Sequence, residues 1–147
     1  MATTFSSSRV STSTNLLTSA PVLGAVDQIW DHSEYTFGAA PVVNDVVRSI
    51  PVVAGARVLE VILSSTDLDT DATPAIVLAV GDGSDEDRFI TASTAGQGGG
   101  VERLNNIAGH GYEYTADDTI DIKVTTAPDT GVVGTVKVSV LLDFSGV

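Results

Sequence analysis

The segment Thr135–Phe144, with the sequence TVKVSVLLDF, alternates apolar side chains with mostly polar ones. Successive side chains of a β-strand point to opposite faces, so one face of this segment is entirely apolar. The segment Thr119–Thr125, with the sequence TIDIKVT, follows the same rule. Both segments are therefore predicted to be strands with one face in a core and the other in water. The apolar positions are Ile120, Ile122, Val124, Val136, Val138, Val140, Leu142 and Phe144.

The rest of the chain carries further strand signals. Val, Ile and Thr, whose branched side chains suit a pleated surface, supply 46 of the 147 residues. Strands are predicted at Arg57–Leu63, Ile76–Val80 and Arg88–Thr91. Several short strands separated by turns predict a single all-β domain, a β-sandwich of jelly-roll type. Its core is expected to include Val61, Leu78, Ile122, Val138 and Val140.

Three local interpretations accompany this fold. Ala127–Gly131, which contains a proline and a glycine, is expected to form a hairpin connection. Val101–Ile107 is the one stretch that could form a helical turn. Within Arg57–Leu63, alternation places Val58 and Ile62 on one face, and the opposite face then carries Leu59, Val61 and Leu63.

The first twenty residues differ in composition from the rest. Residues 1–20 contain eleven Ser or Thr and a single charge, Arg9. Such a segment cannot bury enough apolar surface to offset its ordering entropy alone. It is either a frayed terminus or an arm that becomes ordered against another subunit. We expect an arm at 1–20 and the sandwich domain at 21–147. The apolar anchors of the arm would be Phe5, Val10, Leu16 and Leu17.

Charge and composition exclude several classes of function. The net charge is −12 and the pI is about 4.1, which argues against binding nucleic acid, because phosphate neutralisation needs clustered Lys and Arg. The chain has no cysteine, so a disulfide scaffold, a thiolate zinc site and a cysteine nucleophile are excluded. No apolar run approaches the ~18 residues needed to span a bilayer. We therefore predict no nucleic-acid and no membrane partner.

Asp67, Asp69 and Asp71 place carboxylates at alternate positions, as calcium loops do. The EF-hand pattern fails, because Ala72 occupies the position of the turn glycine and Leu78 that of the closing glutamate. A different calcium loop that also uses Asp82, Asp85 or Asp87 remains open, and a solvated acidic loop is the preferred alternative. No metal-ligating residue is assigned at 67–71 or 82–87, and folding is predicted not to require calcium.

No catalytic constellation is evident. Ser84 lacks the G-x-S-x-G context of a strained nucleophile turn, and His32 and His110 lack zinc-ligand spacing. The glycine-rich stretch 96–100 has no lysine and matches no phosphate-binding loop. No catalytic residue, cofactor-binding residue or cofactor is predicted. The clustered aromatic residues are interpreted as core or subunit contacts in preference to a sugar-binding platform: Trp30, Tyr35, Phe37, Tyr112 and Tyr114.

Four stretches carry a resemblance to a known family: Ala54–Val61, Thr73–Gly83, Asp87–Ile90 and Gly109–Ile120. They combine Gly-x-Gly after a buried strand, then Asp-Arg-Phe, then an aromatic pair before Asp-Asp-Thr-Ile. In these stretches the chain resembles a small structural protein of tailed-bacteriophage virions. The resemblance runs from about Ile50 to the C-terminus and transfers no enzymatic motif.

The resemblance implies a capsid decoration, or cement, protein that acts as a homotrimer. Its expected partner is the major capsid protein, and its expected location is the capsid exterior. Three alternatives stay open. One is a tail, collar or fibre-base protein, which would show a different symmetry. The others are a calcium-dependent carbohydrate-binding module and a hydrolase that uses some of the many carboxylates.

Overall fold

The computed structural model describes residues 4–6, 28–145 and 147. These residues form β-strands joined by loops, with one short 3-10 turn at Ala95–Gln97. The strands are β1 (Thr4–Ser6), β2 (Gln28–Thr36), β3 (Val46–Val52), β4 (Arg57–Ser65), β5 (Val77–Gly81), β6 (Ile90–Ser93), β7 (Gly100–Arg103), β8 (Asp118–Thr126) and β9 (Thr135–Asp143). None of the described residues forms a helix long and apolar enough to cross a bilayer.

The strands form two sheets. The five-stranded sheet has the order β1-β3-β8-β5-β6 and the four-stranded sheet the order β2-β9-β4-β7. Most consecutive strands along the chain alternate between the two sheets. All pairings are antiparallel except that of β1 with β3. The all-β sandwich predicted from the sequence is confirmed.

The core lies between the two sheets and is built from their inward-facing side chains. The five residues expected there are each 2% exposed or less: Val61, Leu78, Ile122, Val138 and Val140. Burying a side chain of this kind contributes about 1.5–3 kcal/mol relative to leaving it in water. The prediction of these five core residues is therefore confirmed.

Two local predictions are wrong. Ala127–Gly131 does not close a hairpin, because β8 pairs in the five-stranded sheet and β9 in the four-stranded one. A strand with one apolar face has the same alternation whichever sheet it joins. The sequence pattern therefore could not distinguish a hairpin within one sheet from a crossover between the two sheets. Val101–Ile107 is not helical, because it begins with β7, which pairs with β4.

The faces of β4 were assigned only in part. A bulge lies between Val58 and Glu60, so that Val58 and Val61 are both completely buried while Leu59 is only half-buried. A bulge adds one residue to a strand and shifts the alternation beyond it. Strict period-2 alternation therefore placed Val58 and Val61 on opposite faces.

β1 forms the edge of the five-stranded sheet. It pairs in parallel with the first half of β3, from Val46 to Arg48. The second half of β3 contains Pro51, and β8 is its one partner strand among the described residues. A proline is tolerated there because an edge position needs no second ladder hydrogen bond. Thr4–Ser6, which belong to the arm expected at 1–20, thus pair with the sheet. Residues 1–3 and 7–20 lie outside the described residues, so the expected docking role of residues 1–20 stays a prediction.

Candidate functional site

The loop after β5 folds back onto the strand that precedes it. A Cβ atom added to Gly81 would lie 2.1 Å from the backbone oxygen of Asp85, so only glycine allows this approach. The Asp82 amide donates to the same Asp85 oxygen at 2.9 Å. We call residues 82–87 the acidic loop.

Asp82 is the buried anchor of the acidic loop. Its side chain is fully buried, and the Arg88 Nε donates to its Oδ2 at 2.5 Å. Its Oδ1 accepts from the Ser84 amide at 3.0 Å, the Ser84 hydroxyl at 2.8 Å and the Asp85 amide at 2.9 Å. Burial raises the pKa of Asp82, but these bonds outweigh it and hold the pKa below its ordinary value. Ser84 therefore has a structural role, because its amide and hydroxyl both bond to Asp82 within the loop.

The aromatic pair completes this cluster. The Arg88 guanidinium lies 3.9 Å from the ring centroid of Tyr112, in a cation–π arrangement. The Tyr114 hydroxyl donates to Asp82 Oδ2 at 3.2 Å, and the two tyrosine rings meet edge to face at 5.1 Å. The motifs that carry the sequence resemblance, Gly-Asp-Gly, Asp-Arg-Phe and Tyr-Glu-Tyr, therefore converge on one ion pair.

A polar cleft of about 530 Å³ opens between the acidic loop and the outer face of the five-stranded sheet. The sheet contributes Val46 and Arg48 from β3 and Asp121 and Lys123 from β8. The acidic loop contributes the other wall, where Glu86 forms an ion pair with Lys123. We call this the acidic cleft and regard it as the candidate functional site.

Asp121 is a buried carboxylate of the cleft. Within the described residues, one of its two oxygens has no hydrogen-bond donor. It is 9% exposed, and its Oδ1 has no hydrogen-bond partner in the described chain. Burial raises its pKa to about 6, although the Thr119 hydroxyl and the positive charge of Arg48 act in the opposite direction. Alternation predicted an outward, solvated position for Asp121; the acidic loop covers that position.

Replacing Asp121 by asparagine is expected to stabilise the fold above about pH 7. The pKa is about 6 in the folded chain and 3.8 ordinarily, so the unfolded chain loses this proton first as the pH rises. Stability of the wild type therefore falls between those two values. The asparagine variant should gain about 1–3 kcal/mol at about pH 8. Urea unfolding of both proteins at about pH 4 and about pH 8 measures this gain.

The gain should nearly vanish at the lower pH, where the carboxyl is protonated in the folded chain and only partly ionised in the unfolded chain. Equal differences at both pH values would show that the Asp121 carboxyl does not titrate as described.

Asp69 has a structural role that the sequence did not indicate. It is 1% exposed, and its Oδ2 accepts from the backbone amides of Ala75, Ile76 and Asp129 at 2.7, 3.2 and 3.1 Å. Its Oδ1 accepts from the Thr130 amide at 2.9 Å. Asp69 therefore ties the loop 66–76 to the loop 127–134, and the solvated-loop interpretation is wrong for this residue.

The remaining residues singled out earlier are dispersed. No group of three or more His, Asp or Glu side chains within the described ranges could hold a metal ion. His32 and His110 are exposed and lie on β2 and in a turn. Gly96 packs against Ile76 in the short 3-10 turn and forms no anion cradle.

A second surface is the outer face of the four-stranded sheet. Trp30 on β2 is 54% exposed and lies opposite Leu141 on β9. Ion pairs between Glu34 and Lys137 and between Glu60 and Arg103 lie on the same sheet. The other aromatic residues of this group pack on the core, as expected: Tyr35, Phe37, Tyr112 and Tyr114. Trp30 alone among the five faces outward with most of its ring surface accessible.

Three solved structures resemble this fold. A chain in the capsid asymmetric unit of cyanophage Pam1 is 30% identical, with a TM-score of 0.74 over 80% of this chain and 85% of that one. A chain in the capsid of Ralstonia phage GP4 is 25% identical, with a TM-score of 0.67 over 78% and 84%. A chain in the acidic stable capsid of Helicobacter pylori bacteriophage KHP30 shares the fold at 16% identity, with a TM-score of 0.54 over 80% and 88%. No protein-family model and no curated protein matches the sequence.

Proposed function

Because this chain belongs to the structural proteins of bacteriophage virions, we propose that it is a capsid decoration, or cement, protein. It binds the outer surface of the phage head and stabilises contacts between major capsid protein subunits. Under internal pressure a shell fails where its subunits separate. A domain that bridges several subunits adds interface area and slows that separation.

The observation that carries the proposal is the similarity to components of two capsids. The alignments cover 85% and 84% of the matched chains, so those capsid components are about the size of this chain. A small, rigid sandwich is suited to binding on a shell that other subunits build. This supports an accessory role on the capsid over a place in the tail, collar or fibre base.

The charge supports the exterior location. The chain carries 19 acidic and seven basic side chains, and such a surface repels packaged nucleic acid. A subunit on the inner surface of the shell would face that nucleic acid. The acidic surface also favours solubility on the outside of the particle. We assign the protein no catalytic activity.

Two surfaces are available for assembly. Trp30 and Leu141 offer apolar area on the four-stranded sheet, which suits contacts between copies, and a homotrimer is the expected assembly. Within the expected arm at 1–20, Thr4–Ser6 pair with β3, so residues 7–20 would be the part that extends from the domain to a neighbouring subunit. An arm of this kind becomes ordered only when a partner surface is present, because ordering offsets part of its contact energy.

The proposal predicts where the protein lies and what its loss does. A cryo-electron microscopy map of the virion should show the sandwich on the capsid exterior, with copies bridging neighbouring major capsid subunits. Particles that lack the protein should rupture at a lower temperature because they lose those bridging contacts. Adding back the purified protein should restore the rupture temperature, which fluorescence of a dye bound to released DNA reports.

An unrelated acidic protein of similar size is the control and should restore nothing. Density for this chain on the tail, the collar or the inner capsid surface would contradict the proposal. So would particles whose rupture temperature is the same with and without it.

A further inference from the structure

The acidic cleft contains a buried acceptor atom that lacks a hydrogen-bond donor, which we call the donor deficit. Asp121 is 9% exposed and lines the cleft, yet its Oδ1 has no donor within the described part of the chain. A buried acceptor without a partner is unfavourable, because it has lost its hydrogen bonds to water and gained none in exchange. Asp82, at the other side of the cleft, has both its oxygens occupied by Ser84, Asp85, Arg88 and Tyr114. Asp121 is therefore the carboxylate of the cleft that still has an unused acceptor atom.

The described residues leave little positive charge to supply that donor. Five of the six basic side chains in this part of the chain form ion pairs with acidic side chains: Arg57, Arg88, Arg103, Lys123 and Lys137. The sixth, Arg48, lies opposite Asp121 on β3, and its charge acts on the Asp121 carboxyl, but it donates no hydrogen bond to Oδ1. The acidic side chains of the loop also repel one another. The pKa of Asp87 is raised because its protonated carboxyl can donate to Asp85, because it is partly desolvated, and because Asp85 and Glu86 repel its charged form. A cation from another molecule would relieve both the donor deficit and this repulsion.

On the premise that the protein decorates a capsid, we infer that the acidic cleft receives an arginine or lysine side chain of a major capsid protein subunit. The N–H donors of that side chain bond Asp121, and the carboxylates of Asp85 and Glu86 surround its charge. The Oδ1 atom is itself enclosed, so the incoming side chain reaches it when the exposed side chains of Arg48 and Glu86 at the rim turn aside. Charge-assisted bonds of this kind are short and directional, so they also fix the orientation of the bound domain.

Other ligands fit the cleft less well. A bound metal ion needs several free carboxylates, but the described residues offer no such group. A phosphate or nucleic-acid backbone would be repelled by Asp85, Glu86 and Asp121. A protein side chain brings one positive charge and several donors at once, which matches a single unsatisfied carboxylate.

The test uses capsid shells prepared without this protein and the full-length chain as ligand. Asp121→Asn should weaken attachment by about tenfold or more, because a charged contact loses its anionic partner. Asp129→Asn, which removes the same charge from an exposed position outside the cleft, should attach like the wild type. The weaker attachment of Asp121→Asn should accompany a fold that is at least as stable at about pH 8, which separates a lost contact from a damaged domain.

Asp85→Asn, at the more exposed rim of the cleft, provides a second variant if Asp121→Asn folds poorly. It should weaken attachment by about threefold, as expected for a partly solvated charge. If neither variant changes attachment, or if Asp129→Asn weakens it as much, the inference is overturned while the proposed function stands. If the wild type itself does not attach, the proposed function fails first.

Discussion

Replacing Arg88 by methionine is expected to lower the free energy of unfolding by about 3–5 kcal/mol. The guanidinium is the cationic partner of Asp82, whose side chain is fully buried. Without it, a carboxylate stays in the interior with only neutral donors. The cation–π contact with Tyr112 is lost as well. Chemical denaturation at about pH 7 measures the loss directly.

The control is the double variant Asp82→Asn, Arg88→Met. Most of the loss in Arg88→Met comes from leaving the buried Asp82 carboxylate without its cation. The double variant has no such charge, so it should be more stable than Arg88→Met alone. If the denaturation midpoint of Arg88→Met equals that of the wild type, the Asp82–Arg88 ion pair does not stabilise the acidic loop.

Replacing Asp69 by asparagine is expected to lower Tm by roughly 8–15 °C. Both carboxylate oxygens accept backbone amides, from Ala75, Ile76 and Asp129 on one side and Thr130 on the other. An asparagine has one carbonyl oxygen, so its NH₂ group must face at least one backbone donor whichever way it turns. Thermal unfolding followed by circular dichroism measures the shift.

The pH dependence of Asp69 runs opposite to that of Asp121. Burial raises the pKa of Asp69, but the four backbone bonds together lower it well below its ordinary value of 3.8. Its stabilisation is therefore present above that value and is lost as the pH falls toward the lowered pKa. Asp129→Asn, an exposed neighbour, should leave Tm nearly unchanged. A comparable Tm loss in both variants would show that charge in these loops, and not the buried carboxylate, is responsible.

Sequence alternation predicted those strands whose inward positions are all apolar. β8 and β9 meet that condition, and their residues were assigned to the correct faces. β2 does not, because two of its inward positions are Asp31 and Ser33, each 4% exposed. Polar residues at inward positions erase the period-2 pattern, so no strand was predicted at Gln28–Thr36.

The candidate site depends on contacts between segments that are distant in sequence. Asp69 bonds to amides about sixty residues further along the chain, and Asp121 is covered by a loop that precedes it by more than thirty positions. Local patterns contain no information about such contacts. The motifs of the acidic loop were found from the resemblance, but their convergence on the Asp82–Arg88 ion pair needed the three-dimensional arrangement.

The position of β9 in the four-stranded sheet bears on how the protein folds during synthesis. β9 lies between β2 and β4 and pairs with both along nearly their whole lengths. While the ribosome is still translating the chain, those two strands have been made but their shared central partner has not. Closing such long loops is entropically unfavourable and slow. The four-stranded sheet should therefore stay open until β9 has emerged, so that folding of the domain follows the synthesis of its last described strand.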